Sequence, residues 1–248
     1  MTAHVRAELL KVRTTRGWYA YLALILLLAG IAVAGDIGST EDERRGLLEF
    51  QIGLVDAVGI AALIAMILGI TIVTTEFRHG TITPTLLVLP RRELVVASKT
   101  VASALVSMLF ALLALAVIAG VAITWLTIID QELHLTDRDL LVRVAQVFLL
   151  TVLWGLLGVA IGTLVQSQVA ALVGTLIWIF LGEALLMGVF ALLDVDRMSD
   201  YLPFQALDAA DGTSDGLLSY WQGVGVSLVW IAAVGAAGTE RLRLRDIS

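Results

Sequence analysis

Cysteine is absent from the 248 residues, which excludes disulfides, thiolate metal sites and thiol catalysis. Histidine is scarce: His4, His79 and His134 lie in separate segments without ligand spacing, so nothing recommends a metal site or histidine-based catalysis. No G-x-x-x-x-G-K-[ST] phosphate loop occurs, and no G-x-G-x-x-G follows a strand pattern, so the chain offers no backbone cradle for a nucleotide. A G-x-S-x-G elbow is missing too, and no serine within an apolar run has a histidine at its depth, which leaves an intramembrane hydrolase without a nucleophile. Nothing recommends a nucleic-acid partner. Charge is sparse at 15% of residues and hydrophobic residues make up 59%, with a mean hydropathy of +0.94. That composition lies outside the soluble globular range and identifies an all-α integral membrane protein whose first partner is the lipid bilayer.

An apolar helix needs about 20 residues to cross hydrocarbon roughly 30 Å thick. On that rule six transmembrane helices are expected, near 17–35, 52–75, 100–127, 144–165, 168–190 and 221–238, in one transmembrane domain covering 1–248. The run 144–193 is nearly unbroken and would reach about 75 Å as one helix, so it must fold back, most simply at Gln166-Ser167-Gln168. The basic N-terminus and the apolar run ending in Ala32-Val33-Ala34 look like a cleavable leader, but the run exceeds the 7–15 residues of a signal core and reads as a retained first span.

Lysine and arginine set the orientation. One alternating set of segments holds Arg6, Lys11, Arg13, Arg16, Arg78, Arg91, Arg92, Lys99, Arg241, Arg243 and Arg245; the other holds only Arg44, Arg45, Arg138, Arg143 and Arg197. Both termini and the 76–99 segment are therefore expected on the cytoplasmic side. Residues 2–16 place Val5, Leu9 and Val12 on one helical face, as an amphipathic helix at the inner interface or as a plain basic flank. The outer segment 191–220 mixes Tyr201, Leu202, Phe204 and Leu207 with acids around a proline; it reads as a short helix dipping into the outer leaflet or as a surface loop.

Span two carries Gly53, Ala57, Ala61, Ala65 and Gly69, a small residue at every fourth position. Such a row lets helix backbones approach closely, within one subunit or between two copies. Asp56 and Glu183 are the acids placed inside spans, about 6 Å and about 10 Å from the outer ends at 1.5 Å per residue. They must face protein or water, as the polar lining of a transport pathway or as structural groups, for instance against Arg143.

Between spans two and three runs "EFRHGTITPTLL", from Glu76 to Leu87. Gly80 breaks the descending helix, Thr81 or Thr83 caps a new one with Pro84 in its first turn, and Pro90 stops it. The expected object is a short cytoplasmic helix over 83–89 presenting Leu86, Leu87 and Leu89 to a soluble partner, with Arg91, Arg92 and Lys99 at the headgroups.

At these residues the chain resembles the ABC transporter permeases of the type-2 exporter class. The likeness rests on the six-span layout, on an E-x-x-K-x-R-T start at Glu8, Lys11, Arg13 and Thr14, and on an E-[YF]-R-x-G-T signature at Glu76, Phe77, Arg78, Gly80 and Thr81, followed by Leu86, Pro90 and Lys99. It covers the whole chain. The resemblance implies two permease subunits, a second copy or a related chain, with two cytosolic ABC ATPase subunits that bind ATP and magnesium, so this chain carries no cofactor and is not itself an enzyme. It implies that Glu76, Phe77, Arg78, Gly80, Thr81, Pro84, Leu86, Leu87 and Pro90 form the ATPase contact, a coupling helix. The cargo expected is a small amphiphilic, drug-like, peptide or lipid substrate moved outward. Two lysines against an arginine-rich remainder hint at a GC-rich bacterial genome, and so at a bacterial cytoplasmic membrane. The competing readings are an ion-coupled carrier using Asp56 or Glu183, disfavoured because no Gly/Pro-broken midplane helices bear those acids, and a non-transporting anchor or sensor subunit.

Overall fold

The computed structural model describes residues 2–89, 91–213 and 218–244, with the backbone alone for Arg16 and Asp42. Among them there are helices and no strands. An N-terminal helix α1 (Thr2–Thr14) leads into α2 (Arg16–Ser39), then come the short α3 (Asp42–Arg45) and α4 (Leu48–Leu54). A 3-10 turn at Val55–Val58 joins α4 to α5 (Gly59–Arg78), followed by α6 (Ile82–Val88), α7 (Arg92–Ile128) and α8 (Arg138–Val165). The remainder is α9 (Gln168–Ile177), a π-helical turn at Trp178–Gly182, α10 (Glu183–Leu192), a 3-10 turn at Asp196–Tyr201, α11 (Pro203–Ala209) and α12 (Tyr220–Arg243).

Among the described residues six helical stretches are long and apolar enough to span a membrane: Gly17–Ser39, Leu48–Arg78, Arg92–Ile128, Arg138–Val165, Gln168–Leu192 and Tyr220–Arg243. The reversal falls at 166–168, where Gln166 takes a left-handed φ of 59° and its N–H closes α8 onto the Gly162 carbonyl. Span three overruns its expected start at 100 by eight residues, so the link between spans two and three is shorter than 76–99. It can begin early because Lys99 does not point out of the bundle as expected: the residue is 1% exposed and its ammonium group is ion-paired inside. Arg92 also turns inward, donating to the Leu242 and Arg243 carbonyls at the end of α12.

Contacts sort the connections to two ends. Lys11 and Lys99 both reach Glu76, and Arg78 reaches Gln168, so α1, α6 and the α8–α9 turn share one end, here the basal end. At the far end Gln51 donates to the Glu132 carbonyl, and Arg143 joins Asp56 to Asp211.

In lipid, helix association depends on packing rather than on the hydrophobic effect, and small residues allow close approach. The centre of the bundle is the α5–α8 pair. A Cβ at Gly69 would lie 2.3 Å from the Gly155 carbonyl oxygen, and one at Gly158 would lie 2.2 Å from that of Met66. The small row of span two is thus used within the subunit over its basal half: Ala61 and Ala65 are buried and Gly69 touches α8, while Gly53 is exposed with no neighbour within 4 Å and Ala57 is half-buried. Around this pair, Ile25, Ala29, Val33 and Ile37 form an i+4 stripe of α2 against Phe110, Ala114 and Ile118 of α7. Gly238 of α12 packs as closely on α8, with a Cβ there only 2.6 Å from Leu164 N.

The segment 191–220 holds a helix, α11; Leu202 just before it and Leu207 within it are buried, and Phe204 tilts onto Trp154 at 5.5 Å. Tyr201 departs from the expectation: its side chain is exposed and it contributes its carbonyl, which accepts from Trp230 Nε1 at 2.8 Å. Residues 214–217 of this segment lie outside the described residues.

Candidate functional site

The basal end begins with a turn that only glycine adopts freely. Gly80 has φ 67°, and Thr81 N–H closes back on the Glu76 carbonyl at 2.9 Å, so the chain leaves α5 and re-enters helix within three residues. Thr81 is the N-cap residue of α6, although its side chain makes no cap hydrogen bond; its carbonyl instead accepts from Thr85 N–H and Oγ1. The helix starts one residue earlier than expected and its two faces differ. Ile82 and Leu86 are buried against Val95 and Leu242, with Phe77 and Leu89 packed around them. Thr81, Pro84, Leu87 and Val88 are exposed, Leu87 by 71% and Val88 by 82%.

Two expectations are corrected here. Leu86 is turned inward and Leu89 is half-buried, while Val88 takes the exposed place. A seven-residue helix has too few turns for its pattern to fix which leucine faces out. Pro90 lies outside the described residues. Between α6 and α1 runs a groove of about 360 Å³ whose walls include His4, Lys11, Pro84 and Val88.

Behind α6 sits a quartet of charges, three of them buried and Lys11 about half exposed. Glu76 Oε1 accepts from Lys11 at 2.6 Å and Lys99 at 2.8 Å; Glu8 meets Lys11 through Oε1 at 2.7 Å and Lys99 through Oε2 at 2.9 Å. Two carboxylates and two ammonium groups cancel, which is what allows Glu8, Glu76 and Lys99 to sit at low exposure. Burial acts to lower the Lys11 pKa, but its hydrogen bonds to Glu76 and Glu8 more than offset this, and the net shift is upward. Glu76, expected at the partner contact, is therefore an internal anchor: it fixes the end of α5 to the start of α7 and to α1, and so frames α6 from both sides. Glu76 Oε2 is buried without a hydrogen-bond partner among the described residues. Arg78 is exposed and donates to Gln168 Oε1 at 3.3 Å.

Sequence reasoning did not assign Glu8, Lys11 and Lys99 to this cluster. The Glu8–Lys11 spacing of three is a visible helical pair, but the bonds to Glu76 and Lys99 span 65 and 91 residues and depend on how helices pack.

The far end carries a different arrangement. Arg143, buried in α8, donates from Nε to Asp56 Oδ1 at 2.7 Å and from Nη2 to both Asp211 oxygens at 3.0 Å. Asp56 sits in the 3-10 turn that interrupts span two, and its side chain is about half exposed. Asp208, near the end of α11 and three residues before Asp211, has its pKa raised by burial and then by the Asp211 charge. Glu183 is elsewhere: at the end of the π-helical turn, buried, with Oε1 accepting from Phe204 N–H at 2.8 Å in the first turn of α11. Asp56 and Glu183 thus do not form one site. Each holds a neighbouring segment, Asp56 through Arg143 and Glu183 through the α11 backbone. Among the described residues no cluster of histidine and carboxylate groups has the makings of a metal site.

Six apolar spans, glycine-welded at the centre and carrying a short amphipathic helix tied to one end, define a multi-pass membrane protein. Residues 4–193 match the family described as ABC-2 family transporter protein, and the chain belongs to that family. No curated protein matches the chain. Membership makes it a membrane component of an ABC transporter and implies an ABC ATPase as partner.

Proposed function

We propose that this chain is the permease subunit of an ATP-driven exporter of small amphiphilic, drug-like, peptide or lipid compounds, working in a bacterial cytoplasmic membrane with its termini and α6 on the cytoplasmic side. Two permease subunits, identical or related, stand on two ATPase subunits, which bind ATP and magnesium and carry out all hydrolysis. The observation that carries this reading is α6: a short helix at the basal end with Pro84, Leu87 and Val88 exposed, and with its base fixed by the Glu8–Lys11–Glu76–Lys99 quartet. An exposed apolar face on a rigidly framed helix suits a soluble partner that covers it and pushes on it. Phe77, Gly80, Thr81 and Leu86 shape and back that contact, while Arg78 flanks it. ATPase closure would reach the spans through α6 and shift the pathway between inward-facing and outward-facing states.

The test is to express the chain in its native host, solubilise it gently, identify what co-purifies and assay ATP hydrolysis. A stoichiometric chain with a phosphate loop and vanadate-sensitive ATPase activity is expected. A folded permease that co-purifies with no ATPase, and whose export runs on an ion gradient alone, would overturn the reading.

A further inference from the structure

A cavity of about 460 Å³ lies at the basal end where α1 and the starts of α2 and α9 meet the last three turns of α5. Its volume lies in the range of small-molecule sites. Its lining combines two chemistries: Val12, Trp18, Leu68 and Ile72 supply apolar surface, and Glu8, Lys11, Glu76, Arg78, His79 and Gln168 supply charged and polar groups.

The charge balance points to the sign of a ligand. Lys11 is already spoken for, since the quartet of Glu8, Lys11, Glu76 and Lys99 is neutral within itself. Arg78 is the surplus: its hydrogen bond goes to the neutral Gln168 amide, and no carboxylate lies within ion-pairing distance of it among the described residues. Glu8 and Glu76 also line the cavity, but both are ion-paired within the neutral quartet, Glu76 through Oε1, whereas the Arg78 guanidinium has no carboxylate partner among the described residues; His79, next to it in sequence, lines the same cavity. Guanidinium groups bind phosphate-type anions through paired N–H donors. From Arg78 to Leu68 is ten residues of α5, about 15 Å at 1.5 Å per residue, and Trp18 stands at the start of span one, where an indole ring borders the headgroup region.

We propose that this cavity binds an anionic amphiphile, with a phosphate-type head held by Arg78 and His79 and a hydrocarbon tail of about 15 Å running along Trp18, Ile72 and Leu68. The site goes beyond the permease reading, and its test needs no ATPase, so failure of either leaves the other standing. The full chain in neutral maltoside micelles is titrated by native mass spectrometry with dodecyl phosphate, dioctanoyl phosphatidic acid, dodecyltrimethylammonium and inorganic phosphate. Dodecyl phosphate is expected to bind saturably, at least tenfold tighter than the trimethylammonium compound. Arg78→Gln weakens it about tenfold, Arg78→Lys retains most of it, and Trp18→Ala weakens both phosphate amphiphiles while leaving elution of the protein unchanged.

The two-chain and single-chain probes separate the sources: tighter binding of phosphatidic acid marks a membrane lipid, tighter binding of dodecyl phosphate a single-chain cargo, and either supports the site. Equal affinity in wild type and Arg78→Gln overturns the proposal. So does preference for the cation, or displacement of dodecyl phosphate by inorganic phosphate at equal concentration, which would show that no tail is read.

Discussion

The two ends of this bundle both use ion pairs to join distant segments, and they do so on opposite terms. At the basal end four charges cancel and three of them are nearly inaccessible; at the far end one buried arginine serves two aspartates that water still reaches, Asp56 being about half exposed. The difference teaches where each end can yield. Removing a partner from the basal quartet strands a charge in a dry place, whereas removing Arg143 leaves carboxylates that solvent can take over. The basal end is therefore the stiff one, and the far end has a reversible fastening.

The largest effect should come from Lys99→Met, which leaves Glu8 and Glu76 to share Lys11 alone. A loss of about 3–5 kcal/mol is expected from breaking a buried pair, read as a lowered unfolding midpoint in detergent. Arg143→Met should cost about 1–3 kcal/mol; a cost equal to that of Lys99→Met would break the contrast between the ends. Lys11→Met, with its side chain about half exposed, should fall below Lys99→Met, and a reversal of that order would locate the anchor on the wrong lysine.

Next in size is the weld between the ends. Gly69→Ala and Gly158→Ala each drive a methyl group into a facing carbonyl and should cost about 1–3 kcal/mol by overpacking, while Gly53→Ala, with no neighbour within 4 Å, should stay within about 0.5 kcal/mol of wild type. The smallest effect on stability, within about 0.5 kcal/mol, is expected for Leu87→Ser with Val88→Ser, yet this pair should abolish ATPase co-purification. Leu86→Ser should instead lower the unfolding midpoint, because that side chain packs on Ile82, Val95 and Leu242. Retained ATPase association in the double variant would move the contact off α6.

Much of this architecture was legible in the sequence for a physical reason: bilayer thickness imposes a length on every span, so the apolar runs and the reversal at Gln166 follow from counting. Gly80 and Pro84 announced a break and a restart, since each restricts the backbone in a known way. The small row of span two announced close packing, but not that only its basal half would be used, because its partner glycines at 155 and 158 lie on a helix that no local pattern links to it. The charged sites were the least legible. Glu76 looked like a surface group beside Arg78, and Lys99 like a headgroup anchor, because nothing in a linear reading reveals that α1 supplies Glu8 and Lys11 to bury them.

The glycine contact between α5 and α8 has a mechanical side. Two helices whose backbones touch have no side-chain layer between them to absorb slippage, so they turn as one shaft. That shaft is keyed at one end to Glu76 and so to the mounting of α6, while at its other end it carries Arg143 and abuts the turn that holds Asp56. On that geometry a twist applied at α6 would be carried along α5 to the Arg143 fastening about 30 Å away, the place where the bundle is best able to let go.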